Sequence, residues 1–244
     1  MNFTNVYEDP RRAEAYANLE FPGTYYLAYR DLPEIIFEHV KGRKALDFGC
    51  GAGRSTRFLK NIGFETIGVD RADDMLKQAR ARDPEGEYHL IRNGGFHQLQ
   101  TRLYDLVLSV FTFDNIPTME EKVTLIKDLG ELLGNQGRII NLVSSPEIYT
   151  HEWASFTTKE FPENRSARSG DTVRIIMTDV EDQRPVEDIL WTDQAYQEVY
   201  RRAGLELVQI YKPLGRANER QKWVNETRIA PWWIYILKKS VKPT

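Results

Sequence analysis

Between Lys44 and Val143 the chain alternates short apolar runs with amphipathic stretches, and no other feature limits its fold as strongly. The apolar runs predict strands at Lys44–Phe48, Glu65–Val69, Tyr88–Ile91, Tyr104–Phe111 and Arg138–Val143, and the stretches with helical spacing predict helices at Arg54–Asn61, Asp73–Arg82 and Thr118–Leu133. Strands that alternate with helices form βαβ units with parallel strands and right-handed crossovers. We therefore predict an α/β fold that binds its ligand at the carboxyl ends of the strands.

The pattern changes after Ser144. Two apolar runs, Asp171–Val180 and Pro185–Leu190, predict a β-hairpin that is too small to fold alone and is therefore an insertion. Thr192 or Asp193 is positioned to cap a helix that runs to Ala203. The last apolar runs, Gly204–Tyr211 and Trp232–Leu237, predict an antiparallel pair at the edge of the sheet. Between them, the helical spacing of Arg216, Arg220 and Trp223 predicts a surface helix or, as the alternative, a basic and aromatic wall over the pocket.

Composition and charge narrow the possible functions. The chain has 244 residues, enough for one large domain or two small ones, and a net charge of −3. No basic stripe is present, which disfavours nucleic acid as a partner. One cysteine, no signal peptide and no apolar run near 20 residues favour a soluble cytoplasmic protein without a membrane span. Four scattered histidines predict no metal site, and nothing indicates the oligomeric state.

A glycine-rich turn lies between the first predicted strand and the first predicted helix. The turn reads Leu-Asp-Phe-Gly-Cys-Gly-Ala-Gly-Arg over residues 46–54, and Asp70 ends the next strand. Glycines allow a sharp turn and a close approach of the backbone to a ligand. A carboxylate at the tip of the second strand can accept both hydroxyl groups of a ribose, although Asp70 is also placed to cap a helix.

The glycine spacing distinguishes between two cofactors. The glycines follow the pattern G-x-G-x-G, whereas the dinucleotide fingerprint is G-x-G-x-x-G. Asp47, two residues before the first glycine, would repel a pyrophosphate and suits an ammonium group. The pattern therefore indicates S-adenosylmethionine and disfavours a nicotinamide dehydrogenase.

Over residues 33–143 the sequence resembles the class I S-adenosylmethionine-dependent methyltransferases. The matching motifs are the glycine turn, Gly-Val-Asp at 68–70, Tyr-Asp-Leu-Val-Leu at 104–108 and Leu-Gly-Asn-Gln-Gly-Arg-Ile-Ile at 133–140. The resemblance implies a three-layer Rossmann-like sandwich with a seven-stranded, mostly parallel sheet whose last strand is antiparallel. We expect an N-terminal helical cap (1–40), a cofactor-binding half (41–144), a substrate-side insertion (145–192) and a C-terminal helix with antiparallel strands (193–244).

The resemblance also implies which residues bind the cofactor. Met75 is expected near the adenine, Asn93 replaces a frequent aspartate at the adenine amino group, and Tyr25, Tyr26 and Arg30 are expected to close over the cofactor and its carboxylate. The candidate cofactor-binding residues are Asp47, Gly49, Cys50, Gly51, Gly53, Asp70, Arg71, Met75, Asn93, Gly94, Phe111, Tyr25 and Arg30. Cys50 is read as a small buried residue rather than a redox group.

The sequence says less about the site that binds the methyl acceptor, because methyl transfer requires few obligatory side chains. The candidate catalytic residues are Asp114, Tyr26 and His151. Asp114 is either a general base or amine ligand, or the N-cap of the next helix. Tyr26 and His151 are alternatively packing or surface residues.

The sequence thus predicts methyl transfer to a small-molecule acceptor by in-line displacement. Two alternatives stay open: a methyltransferase acting on RNA or a protein side chain, and a non-catalytic S-adenosylmethionine-binding protein. The atom that accepts the methyl group is not predicted.

Overall fold

The computed structural model of the protein describes residues 23–92, 96, 99 and 103–240. In chain order its helices and strands are α1 (Tyr26–Tyr29), α2 (Leu32–His39), β1 (Lys44–Phe48), α3 (Arg54–Asn61), β2 (Glu65–Asp70), α4 (Asp73–Arg82), β3 (Glu87–Leu90), β4 (Tyr104–Val110), α5 (Met119–Glu131), β5 (Leu133–Ser144), β6 (Phe156–Thr157), β7 (Thr172–Met177), β8 (Val186–Ile189), α6 (Asp193–Arg202), β9 (Leu205–Tyr211) and β10 (Trp232–Lys239). Short 3-10 helices lie at Thr112–Asn115 and Pro146–Tyr149.

Seven strands form one sheet in the order β3-β2-β1-β4-β5-β10-β9. Strands β1 to β5 pair in parallel, whereas β10 runs antiparallel to both β5 and β9. The predicted seven-stranded Rossmann-like sheet with an antiparallel last strand is therefore confirmed. The strand order reverses between β1 and β4, so a ligand crevice is expected at the carboxyl ends of these two strands.

Two apolar clusters cover the two faces of the sheet. One cluster joins the sheet to the N-terminal helices and to the insertion after β5, and the other joins it to α5 and α6. Leu106, Val107 and Leu108 of β4 are fully buried, as an apolar strand covered on both faces requires. The core therefore holds the carboxyl ends of β1 and β4 in fixed positions.

Strand β5 begins earlier than the sequence predicts. Tyr104 pairs with Leu133 and Leu106 pairs with Arg138, so the four residues between Leu133 and Arg138 bulge from the ladder. Residues 134–137, which precede the strand predicted at Arg138–Val143, therefore lie inside β5 as a bulge. The cause is that Leu133 is buried and continues the pairing before the glycines interrupt it.

The insertion after β5 contains the predicted hairpin and one more strand. Strands β7 and β8 pair antiparallel, and the two-residue strand β6 adds to β7 to complete a separate sheet in the order β6-β7-β8. A strand of two residues carries no alternation, so the sequence could not reveal it.

The C-terminal region departs from one prediction. Residues 212–231 form no helix, so the surface helix inferred from Arg216, Arg220 and Trp223 is wrong. Instead, Trp223 packs against Gly215 and donates its indole N–H to the carbonyl oxygen of Arg216.

Of the two residues predicted to cap α6, Thr192 is the cap, since its hydroxyl accepts from the Ala195 N–H. Among the described residues, no helix combines the length and apolar character needed to cross a bilayer.

Candidate functional site

A cavity of about 860 Å³ opens at the carboxyl ends of β1, β2 and β4. One end is lined by the glycine turn after β1, and the other is lined by the insertion sheet and the start of β10. This volume lies in the upper part of the range typical of small-molecule sites. The crevice that the strand order predicts is therefore present, and it continues under the insertion.

The glycine turn adopts a backbone that side chains disfavour. Gly49, Gly51 and Gly53 have φ angles of 73°, 53° and 79°, all in the left-handed region. A Cβ on Gly49 would lie 2.1 Å from Thr112 Oγ1, so this position is closed by packing. A Cβ on Gly51 would meet only the flexible end of Met75, at 3.0 Å, on the cavity side. Gly51 therefore leaves room for a ligand. Gly49, Cys50 and Gly51 line the cavity, while Gly53 does not.

Asp70 lies at the tip of β2 and lines the cavity. Its carboxylate accepts the backbone N–H of Gly51 at 2.8 Å and that of Ala72 at 2.8 Å. Burial raises the pKa of Asp70. The helix that follows is capped at Ala72, so the interpretation of Asp70 as its N-cap is wrong. The carboxylate instead links the glycine turn to β2 and keeps lone pairs for hydroxyl donors in the cavity.

Asp47 lies behind the glycine turn and does not line the cavity. The side chain is fully buried, and its Oδ2 accepts the hydroxyls of Ser55 at 2.7 Å and Thr56 at 2.6 Å. Its Oδ1 has no hydrogen-bond partner. Burial raises the pKa of Asp47 to about 6. In this geometry the carboxylate holds the first turn of α3 against β1, and direct contact with a cofactor ammonium stays a prediction.

We expect Asp47→Asn to weaken the pH dependence of stability. Because the folded-state pKa is raised, stability from the protonated carboxyl is present at low pH and is lost as pH rises through about 6. The variant should therefore gain about 1 kcal/mol relative to the native protein between about pH 5 and pH 8 in urea unfolding. Asp73→Asn, in the exposed first turn of α4, is the control. Equal pH dependence in the native protein and the Asp47 variant would contradict this account.

The adenine side of the predicted site is apolar. Met75, Ile91 and Phe96 line the cavity next to Asp70, and Arg71 and Arg92 line its rim. Met75 thus lies where a purine ring beside the ribose would be expected. The candidates Asn93 and Gly94 lie outside the described residues.

The N-terminal arm contributes different residues from those predicted. Tyr25 lines the cavity, but Tyr26 and Arg30 do not. The Tyr26 ring packs 6.3 Å from that of Trp223. Arg30 forms ion pairs with Asp31 and, at 2.7 Å, with Glu219, which raise its pKa. The structure therefore does not bring Tyr26 or Arg30 to the cavity.

Two neighbours that the sequence analysis missed line the cavity in this region. Tyr29 lies one helical turn after Tyr25, and Arg54 begins α3 directly after the glycine turn. The Arg54 guanidinium lies 5.4 Å from the centre of the Tyr25 ring and 5.6 Å from that of Tyr29. Arg54 could have been predicted to lie near the cavity, because it is the last residue of the glycine-turn motif at 46–54.

Of the three catalytic candidates, only Asp114 lines the cavity. Asp114 is buried in the 3-10 helix after β4, where it accepts the N–H of Ser144 at 3.1 Å and the Tyr196 hydroxyl at 3.3 Å. Thr118 caps α5, since its hydroxyl accepts from the Glu121 N–H, so the alternative role of Asp114 as that cap is wrong. Burial raises the pKa of Asp114.

His151 lies outside the cavity. Its Nδ1 is 3.1 Å from the carbonyl oxygen of Glu147, and its ring is edge-on to Trp153 at 6.3 Å. The structure therefore does not bring His151 to Asp114, and its catalytic role has no geometric support.

The far end of the cavity contains groups that the sequence analysis did not select. Asp188 and Tyr149 line it together, and the Tyr149 hydroxyl donates to Asp188 Oδ2 at 3.1 Å. The signal was present in β8, because Asp188 follows Val186 by two residues and so shares its inward face. An acidic side chain at an inward position of an apolar strand indicates a polar function.

Phe111 has strained backbone geometry at the centre of the cavity. Its φ of 60° is the one positive value among the described residues other than glycine. The ring contacts Trp232 at 4.6 Å and Tyr25 at 5.9 Å, and all three line the cavity. Strain of this kind costs roughly 1–3 kcal/mol and concentrates at functional sites.

Comparisons with known proteins agree with this geometry. Residues 46–141 match the family model described as a methyltransferase domain. An uncharacterized methyltransferase of Bacillus licheniformis is 32% identical over 120 residues, which are 48% of this chain and 55% of that protein. A ubiquinone biosynthesis O-methyltransferase of Hydrogenovibrio crunogenus is 31% identical over 85 residues, 33% of this chain and 35% of that protein. The chain thus spans about half or less of the curated relatives it matches.

A solved structure extends the likeness to the whole fold. The crystal structure of an S-adenosylmethionine-dependent methyltransferase from Clostridium acetobutylicum superposes with a TM-score of 0.60, covering 97% of both chains at 13% identity. At this identity the match shows a shared fold.

Proposed function

We propose that this chain, a class I S-adenosylmethionine-dependent methyltransferase by its matched domain and its fold, transfers a methyl group to a small-molecule acceptor inside the cavity. The observation that carries the proposal is one continuous cavity, which runs from the glycine turn and Asp70 to a chamber under the insertion sheet with apolar walls and two carboxyl groups. A cofactor and a compact acceptor can therefore meet in one cavity.

The residues at the glycine turn fit S-adenosylmethionine. Gly51 leaves a cradle that a side chain would fill, and Asp70 presents a half-buried carboxylate where the two ribose hydroxyls would lie. When bound, this cofactor supplies a methyl group on a positively charged sulfur, which is a good leaving group. The turn and Asp70 orient it, and Met75 and Phe96 form an apolar wall on the adenine side.

Arg54 replaces Arg30 as the proposed partner of the cofactor carboxylate. Arg30 is held by Asp31 and Glu219 outside the cavity, whereas Arg54 lines the cavity beside the turn. Tyr25 and Tyr29 support the Arg54 guanidinium through their ring faces, an arrangement suited to a fixed cation.

The chamber beyond the turn favours a small acceptor. Phe156, Ile175, Met177 and Val186 form its walls, and all four belong to the insertion sheet. The buried charges in it are carboxyl groups rather than the basic side chains that an RNA substrate would require. A protein that only senses the cofactor has no need of such a chamber. The O-methyltransferases among the relatives act on a small molecule by their names, which supports the same proposal.

A transfer experiment distinguishes the proposed function from the two alternatives. The protein is incubated with methyl-labelled S-adenosylmethionine and a cell extract divided by dialysis into small molecules and retained macromolecules. We expect label to enter the small-molecule fraction. Label in the retained fraction alone would indicate a macromolecular acceptor. Bound cofactor without any transfer would indicate a non-catalytic binding protein.

We expect Asp114→Asn to bind S-adenosylhomocysteine with unchanged affinity and to lose about 100-fold in kcat, because the amide cannot accept a proton from the acceptor. The amide oxygen still accepts from Ser144 and Tyr196, so the fold should be retained. Asp171→Asn, an exposed change in the insertion, is the control. An unchanged kcat would show that Asp114 has a structural role only.

A further inference from the structure

The acceptor chamber holds two buried carboxyl groups with little opposing charge. Asp114 and Asp188 both line the cavity and are 4% and 9% exposed. Among the described residues, no lysine or arginine lies within ion-pairing distance of either carboxylate. The carboxylates receive hydrogen bonds from Tyr149, Tyr196 and the Ser144 N–H, all neutral donors.

Lys122 is a buried lysine that interacts electrostatically with both carboxyls, and it can neutralise at most one of them. Its Nζ donates to the carbonyl oxygen of Phe113 and lies 4.9 Å from the centre of the Trp191 ring. Lys122 is fully buried and does not line the cavity. With both carboxyls ionised, the cluster carries a net charge of −1 if Lys122 is protonated and −2 if it is not. Burial raises the pKa of both carboxyls, so each one ionises more readily when a cation enters the cavity beside it.

A cluster of aromatic rings also lines the cavity, and we call it the aromatic wall. Tyr25, Phe111, Phe156 and Trp232 line the cavity and contact one another, with ring centres 4.6–5.9 Å apart. Aromatic ring faces attract cations, most strongly where water is excluded. The Arg54 guanidinium already lies 5.4 Å from the centre of the Tyr25 ring, so we expect a second cation beside Phe111, Phe156 or Trp232. A neutral hydroxyl would gain nothing from the rings as a cation does, and it could not form an ion pair with an ionised carboxyl. Two independent features thus favour a cation at the same end of the cavity.

We propose that the acceptor is an amine with an apolar body, bound as an ammonium between the Asp188 carboxylate and the aromatic wall. This inference rests on the proposed methyl transfer and names its substrate class. Asp188 anchors the ammonium, and the apolar residues Ile175, Met177 and Val186 receive the remainder of the molecule.

The ammonium gives one proton to the Asp114 carboxylate, which leaves a neutral amine with a free electron pair. That pair forms the new N–C bond as the S–C bond breaks and its electrons stay on sulfur. The products are a methylated ammonium, S-adenosylhomocysteine and protonated Asp114, which returns its proton to water. No oxidant, reductant or metal is needed.

Matched amines and alcohols test the proposal by direct binding. Benzylamine, 2-phenylethylamine and cyclohexylamine are titrated into the protein saturated with S-adenosylhomocysteine at about pH 8, beside the alcohols of the same skeletons. We expect at least one amine to bind at least tenfold more tightly than its alcohol. Asp188→Asn should remove this preference, and Glu187→Gln, its neighbour outside the cavity, should retain it. No preference in the native protein, or a preference that survives Asp188→Asn, would overturn the proposal.

A pH series gives a test without a variant. Burial and the neighbouring Asp114 raise the pKa of Asp188, so lowering the pH should protonate the pair and weaken amine binding while alcohol binding stays constant. The titratable groups around the pair are Tyr149, Tyr196 and Lys122. Amine binding that does not weaken on acidification would contradict the proposed anchor.

The same preparations separate this inference from the proposed function. Binding of S-adenosylhomocysteine with methyl transfer to hydroxyl acceptors alone would overturn the amine inference and retain the methyltransferase. Failure to bind S-adenosylhomocysteine would overturn the proposed function. In that case, amine titrations of the protein alone decide whether the ammonium site exists.

Discussion

Gly51→Val is expected to weaken S-adenosylhomocysteine binding by more than about 100-fold, or about 2.7 kcal/mol, while the protein remains folded. The Gly51 Cβ would meet only Met75 within the protein, so the new side chain projects into the cradle that the ligand requires. Its backbone lies at a φ of 53°, which a valine adopts at some cost in stability. Binding and thermal unfolding must therefore both be measured.

Gly63→Val is the matched control for this change. Gly63 also has a left-handed φ, of 90°, and a Cβ there would meet nothing within 4 Å. The control should lose a similar amount of stability and bind the ligand normally. Native affinity in Gly51→Val would show that the turn does not approach the ligand closely, whatever its effect on stability.

Asp70→Ala is expected to weaken S-adenosylhomocysteine binding by about 1–3 kcal/mol, or roughly 5- to 150-fold, because two ribose hydroxyls lose their acceptor. The variant also removes the acceptor for the N–H groups of Gly51 and Ala72, so part of the loss comes from the turn. Asp74→Ala, an exposed acid in the first turn of α4, is the control.

A ligand without the 2′-hydroxyl separates these two contributions. In the native protein, 2′-deoxy-S-adenosylhomocysteine should bind more weakly than the parent ligand. In Asp70→Ala the difference between the two ligands should largely disappear, as a pairwise contact requires. An equal difference in both proteins would show that Asp70 supports the turn and does not bind the ribose.

The parallel sheet and the cofactor end of the cavity could be predicted because local signals specify them. Strands buried on both faces read as apolar runs, and the glycine turn carries its own backbone requirement. Asp70 is placed by its position at the end of a strand. These features depend on residues near one another in the chain, so one sequence reveals them.

The acceptor end could not be predicted because distant segments build it. Asp188, Tyr149 and Trp232 come from β8, a 3-10 helix and β10. Arg30 matched an expected position, but Asp31 and Glu219 hold it outside the cavity, and pairing with a residue 189 positions away leaves no local signal. Likewise, the segment around Arg216 and Trp223 has helical spacing, yet Gly215 and Trp223 pack into an irregular loop.

Calorimetric titration of the native protein with S-adenosylmethionine, S-adenosylhomocysteine and NADH tests the central claim most directly. We expect micromolar affinity for the first two ligands and none for NADH, because the turn, Asp70 and Arg54 suit a ligand with a ribose and a carboxylate and without a pyrophosphate. Binding of NADH, or no binding of either sulfur ligand, would contradict the assignment of the cavity as an S-adenosylmethionine site.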